Sequence, residues 1–466
     1  MSAGRFGRLT PAAIVGLFLI SALSIVPVSV HAVPPACGST LTLSVALAAD
    51  VGPCPGDGLI IGADNISLDC AGHLVKGNGV GAGISISGFK NVTVGNCTVN
   101  GFVNGVELVG STKDRIRHNT ATNNSIGFLV TNSSNNDKLE KNSATNNKAD
   151  GFVVSASSMD TLKGNIATDN VANGFKLLSA ATNVLKADRG SSNGGDGFLL
   201  QSSTSNTLGE GKAIHNGGSG IHLASGSDTN VLRENAVRNN TGYGILLQSS
   251  SHNTLRNNHA KFNTGGFRFE TSSSNTLKNN DADHNGIGFT LAAGSNSNTL
   301  QGDHANRNTV GGFSILSSGS NAVRDASADR NGGDGFRVFN SSTNLIEKAR
   351  ANRNVGVGFH LLNSSNSNSI SKSNANANTG GGFLVERSSS NSLMKDQANS
   401  NTGSGFHLVS SVTSTLGDDK ANKNSGYGYA DDSVGTGTAG TANTYSNDKC
   451  DNNTLGGSSP AGLCTS

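Results

Sequence analysis

A glycine followed by an aromatic or aliphatic residue recurs at positions 127, 151, 174, 197, 220, 244, 266, 288, 312, 335, 358, 382, 405 and 428, in intervals of 22 to 24 residues. Gly83-Ile84 and Gly105-Val106 extend the series backward by 22-residue steps. A period this short and regular marks a solenoid, in which each repeat buries its apolar face only by stacking on its neighbours. The middle of the chain is therefore one array without an internal domain boundary. Its richness in Ser, Asn, Thr and Gly would otherwise read as disorder.

Three short β-like stretches make up each repeat. In the unit that begins at Gly266, the first is Gly266-Phe267-Arg268-Phe269, where two apolar residues alternate with an outward position. The second is Asn-Thr-Leu, as at Asn275 to Leu277. The third centres on a small residue, at Ala121, Ala144, Ala167, Ala213, Ala236, Ala260, Ala282 and on to Ala421, with Gly190 the exception. An Asn three residues later closes each coil. Such strands are too short to stand alone. Stacked in parallel about 4.8 Å apart, they would align Phe128 through Tyr429 in one interior column and the closing Asn side chains in another. A leucine-rich repeat shares the period, but it needs L-x-x-L-x-L-x-x-N and usually a helical return. No helical periodicity is present. The expected fold is an all-β, single-stranded right-handed parallel β-helix of about 14 to 16 coils of about 23 residues, with three parallel sheets.

The unit Gly-Phe-x-Leu…Asn-x-Leu…Asn-x-Ala-x-x-Asn resembles the parallel β-helix repeats of the pectate-lyase-like superfamily, and in style the exported NosD-like repeat proteins. The resemblance covers roughly residues 60 to 430. It speaks for the fold far more than for function, because one scaffold hosts many activities. NosD-like proteins are associated with copper maturation of a periplasmic reductase, so the resemblance also implies a metal-handling role as one alternative.

The N-terminus has the pattern of an export signal. Arg5 and Arg8 precede an apolar run from Ala12 to Val30, and Val30-His31-Ala32 offers a cleavage site, which makes residues 1–32 a signal peptide. An uncleaved anchor is the alternative, since the run approaches the length of a span. Residues 33–60 are expected as an N-terminal cap, 61–430 as the β-helix and 431–466 as a C-terminal cap. The six cysteines lie only toward the ends of the mature chain, as staples in an oxidising compartment would. The favoured pairs are Cys37–Cys54, Cys70–Cys97 and Cys450–Cys464, from fifteen possible connectivities. The expected location is secreted, periplasmic or cell-surface, with no membrane span after cleavage and a monomeric state. A net charge of +2 makes no case for nucleic acid.

Enzymes on such scaffolds work with carboxylates on the outer face. Of the outward residues on the first stretch, only Glu270 and Glu386 stand out as acidic, and five coils separate them. That is about 24 Å at β spacing, too far for the carboxyl pair of a glycosidase. No catalytic residue is identified and no cofactor is required. Two outward columns beside the Ala ladder remain. His259, Asp281 and His304, with Asp283 nearby, could hold a divalent ion, although a wet polar edge explains them as well. His215, Arg238, His284, Arg307, Arg330 and Arg353, one residue before the closing Asn, form a cationic ladder suited to an acidic glycan. Charges that solubilise a long sheet are the competing account. The expected function is an exported β-helix that binds an acidic polysaccharide or cell-surface glycan. A polysaccharide lyase, hydrolase or epimerase is the first alternative.

Overall fold

The computed structural model describes residues 35–466. The expected signal peptide, residues 1–32, lies outside the described residues. From Ser39 onward the chain winds as a parallel β-solenoid with three walls. The first wall has 19 strands, from Ser39–Leu41 to Ser458–Ser459, and the second has 18, from Val45–Ala46 to Thr444–Ser446. The third runs through 12 strands, from Val51–Cys54 to His304–Asn306, and resumes with four, from Asn374–Asn376 to Lys449–Asp451. There are more coils than the glycine series counts. The segments expected as caps are themselves coils: Ser39–Leu41 pairs with Leu59–Ile61, and Thr444–Ser446 with Thr415–Gly417. They escape the periodicity because they lack the Gly-Phe step. Cys37–Cys54, Cys70–Cys97 and Cys450–Cys464 form the three disulfides, near the two ends.

The interior column is as expected. Phe128 to Phe198, and Phe267 to Tyr429, stack with ring centroids 4.6 to 4.8 Å apart and planes within 9°. Strand spacing dictates that interval. The glycine before each ring has a packing reason: a Cβ on Gly288 would lie 2.6 Å from Ala305 Cβ and 2.8 Å from the Gly312 carbonyl oxygen. Gly and Ala columns thus exist together, each making room for the other.

One coil departs from the expected register. Val237, not Ala236, pairs with Ala213 and Ala260 in the interior column. Its closing residue is Asn240, which receives the Asn216 backbone N–H on Oδ1 at 3.0 Å. Asn239 instead occupies the corner at φ 55°. The interval from Gly220 to Gly244 is 24 residues, and sequence alone does not say where the additional residue is accommodated.

Asparagine ladders run along all three corners, where one was expected. At each, a backbone N–H donates to the side-chain oxygen one coil on: Asn183 to Asn206, Asn142 to Asn165, Asn147 to Asn170. The amide nitrogen donates back to a main-chain carbonyl, as Asn165 does to Leu139 at 2.8 Å. These bonds satisfy groups that the narrow core hides from water. Aspartates replace Asn at several rungs, and burial pushes Asp188 and Asp303 up to about 7 and Asp396 up to about 8.

Candidate functional site

The second corner ladder fails in two successive coils, where Ala326 and Ala349 follow Asp303 before Ser373 restores a hydroxyl. Neither alanine has a side-chain oxygen to receive the N–H of the coil below. In those coils the third wall thins to single bridges, His304 to Ser327, Ser327 to Arg350 and Arg350 to Asn374. Beside this interruption lies a groove of about 580 Å³, lined by Asn306, Arg307, Asp329, Arg330, Arg350, Asn352, Arg353, Asn376 and Ala377.

The groove has two rows. Along its floor Asn306, Asp329, Asn352 and Asn376 form a hydrogen-bonded chain, in which each side-chain oxygen receives the N–H of the next residue at 2.9 to 3.0 Å. Along its rim Arg307, Arg330 and Arg353 stand at φ 54°, 60° and 59°, a left-handed turn that throws each side chain outward. Four guanidinium groups face one carboxylate here. Arg350 grips that carboxylate, Asp329, with Nε at 2.8 Å and Nη2 at 2.7 Å. Arg307 reaches Asp283 at 3.4 Å. Among the described residues neither Arg330 nor Arg353 has an acidic partner within ion-pair distance.

The other members of the expected cationic ladder fall outside the groove. His215 is exposed at the same corner, four coils before Arg307. Arg238 is not in that column: with the register corrected, it pairs with Ile214 and Lys261 on the wall and lines a separate recess of about 300 Å³ with His259 and Lys261. His284 is in the column next to Arg307, 3.1 Å from Asp283.

The four residues expected to hold a metal share a face but do not converge. His259, Asp281 and His304 are in register on successive coils. Lys261 Nζ, however, lies 3.8 Å from the Asp281 carboxylate and 3.3 Å from that of Asp283. His304 Nδ1 is turned to Ser327 Oγ at 2.7 Å. Partial burial works against charge on Asp283, yet the bonds and charges of His284 and Lys261 outweigh it and hold that carboxyl below its ordinary range. With Lys261 and Arg307 beside it, Asp283 is already neutralised. Among the described residues, no group of three or more His, Cys, Asp or Glu side chains is placed to hold a metal ion.

Two Asp–His pairs on the first wall were not anticipated. His222 Nδ1 lies 3.0 Å from Asp196, and His360 Nδ1 lies 3.0 Å from Asp334. Each Asp comes from the Gly-Gly-Asp-Gly turn of the coil before, and its second oxygen receives the N–H of Ser219 or Val357. The repeated Gly-Gly-Asp-Gly could have pointed to them. Glu386 lies on the far side of His360, 3.7 Å from Nε2, so Asp334 and Glu386 do bracket a point on this wall, with the imidazole filling the space between them. Both Nε2 atoms are buried and lack a hydrogen-bond partner.

The model for the right handed beta helix region matches residues 189–327 and 291–421, half of the chain, and the chain belongs to that family. The model for the periplasmic copper-binding protein NosD matches residues 65–230. Copper is held by thiolate, thioether or imidazole groups. In that span these are Cys70 and Cys97, joined to each other, and Met159, His73, His118, His215 and His222 on separate coils. They do not fit a copper centre. No curated protein matches the chain. Among solved structures, the A-module of the Azotobacter vinelandii mannuronan C-5 epimerase AlgE4 is 17% identical, over 66% of this chain and 87% of that one, with a TM-score of 0.43. A double mutant of the periplasmic alginate epimerase AlgG is 16% identical, over 57% and 75%, with a TM-score of 0.47. The catalytic domain of a GH87 α-1,3-glucanase is 13% identical, over 68% and 63%, with a TM-score of 0.37.

Proposed function

We propose that this protein is an exported β-helix that binds an extended acidic polysaccharide along the corner groove between Asn306 and Ala377. One observation carries the reading: four guanidinium groups line the groove against the single carboxylate of Asp329, and two of them, Arg330 and Arg353, have no acidic partner among the described residues. Charges placed only for solubility would be spread singly or paired, as Lys186 with Glu210 and Lys372 with Glu347 are. Arginine in a row suits carboxylate or sulfate groups because its planar fork bonds two oxygens at once. The floor adds polar amides for hydroxyl groups. Three disulfides suit an oxidising compartment. No helix among the described residues is long and apolar enough to cross a membrane. The reading needs no cofactor.

The test is calorimetric titration with polygalacturonate at low and high salt. Ionic contacts are screened beyond about 8 Å at physiological salt, so affinity should fall steeply as salt rises. Changing Arg307, Arg330 and Arg353 together to Gln should abolish binding while leaving Tm nearly unchanged, because exposed charges contribute little to stability. Salt-insensitive binding, or full binding by the triple variant, would remove this groove from consideration.

A further inference from the structure

The rim row does not end at Arg307. Phe262 and His284 hold the same corner position in the two preceding coils, at φ 57° for both, so five successive coils present Phe, His, Arg, Arg and Arg. Phe262 is 55% exposed, and it is the one aromatic residue among the described residues that the fold leaves so open. Its ring lies 5.1 Å from the His284 imidazole, tilted by 34°. The fold does not require a phenylalanine there: the coil before has Asn239 at that position. A left-handed corner disfavours a bulky side chain and favours Asn. An exposed ring at a disfavoured conformation, continuous with a row of cations, points to something that stacks on it.

The spacing defines what that is. Successive corners are one coil apart, about 4.8 Å, close to the length of one 1,4-linked pyranose in an extended chain. The three arginines, one per coil from Arg307 to Arg353, therefore offer one cation per sugar length, and an aromatic face meets the C–H face of a pyranose ring. We propose that the ligand is a linear glycan with an anionic group on every sugar, lying along the solenoid axis from Arg353 to Phe262, with one sugar ring stacked on Phe262. This rests on the polysaccharide reading above and deepens it to a class and a direction. The span is four coil steps, about 19 Å, so five sugars fill the row.

Size-graded oligogalacturonides, charged at every sugar, and hyaluronan oligosaccharides, charged at every second sugar, provide the test by calorimetric titration of the full exported chain. Affinity for the oligogalacturonides should climb to about five or six sugars and then level. A hyaluronan oligosaccharide of equal length should bind about tenfold more weakly, having lost half its ionic contacts. Phe262→Asn, which places at this corner the residue already found at 239, should weaken the hexamer about fivefold and leave the trimer unchanged. Phe262→Tyr should retain hexamer binding. Unaltered hexamer affinity in Phe262→Asn, while the triple Gln variant binds nothing, would overturn the stacking subsite and leave polyanion binding standing. Equal affinity for hyaluronan or for linear polyphosphate would overturn the one-charge-per-sugar register. No binding of any polyuronate by the wild-type chain would defeat both readings.

Discussion

Asp188 offers a direct measurement of how the corner ladders work. Its Oδ1 receives the Asn165 backbone N–H at 2.6 Å and the Asn165 side-chain amide at 2.9 Å, whereas its Oδ2 is buried without a partner. An asparagine at the rung below uses its nitrogen to bond a carbonyl. A carboxylate has no proton with which to do so, and a carboxylic acid does. Burial accordingly pushes Asp188 from 3.8 up to about 7. The sign follows from linkage: the folded state holds this proton more tightly than the unfolded chain, so the contribution of Asp188 is whole below about pH 4 and is lost as pH rises to about 7. Three pH units at 1.36 kcal/mol each amount to about 4 kcal/mol. Asp188→Asn supplies the donor at every pH. Its unfolding midpoint in urea, followed by far-ultraviolet circular dichroism, should match wild type at pH 4 and exceed it at pH 8 by an amount equivalent to about 2 to 4 kcal/mol. Equal shifts at the two pH values, or a less stable variant at pH 8, would refute the protonated rung.

Three further outcomes follow from the packing. Phe289→Ala should destabilise by about 3 to 5 kcal/mol, since stacked rings above and below prevent collapse of its site; Thr290→Ala, facing outward though only 4% exposed, should cost about 1 kcal/mol by the same denaturation assay. Gly288→Ala should destabilise by about 1 to 3 kcal/mol, because its Cβ would overlap Ala305, and a Gly288→Ala, Ala305→Gly double variant should recover part of the loss. Non-reducing peptide mapping of exported protein should recover Cys37–Cys54, Cys70–Cys97 and Cys450–Cys464 as linked pairs, and free thiols at Cys37, Cys54, Cys450 and Cys464 would contradict the stapled ends.

Much of this protein could be read from its sequence because a solenoid is nearly one-dimensional. Each coil contacts only its neighbours, so a column of identical residues at a fixed period specifies both the burial of Phe289 and the outward face of Thr290 without knowledge of long-range contacts. Periodicity likewise puts Arg307, Arg330 and Arg353 in one row. It failed at Arg238, where a 24-residue interval can take up its additional residue on either side of the wall, and only the bond from Asn216 to Asn240 decides which. It was blind to pairing between coils: Lys261 beside Asp281, and Asp334 beside His360, are 20 to 26 residues apart in sequence and meet through side-chain reach that no period encodes. The groove itself belongs to the tertiary structure. Ala326 and Ala349 look like further small residues in a repetitive chain, and only the ladder around them reveals two missing oxygen acceptors where the wall thins. Periodic sequence determines what faces inward, because burial repeats with the coil. What the outer surface can bind was decided by the irregular residues, whose partners are set in three dimensions.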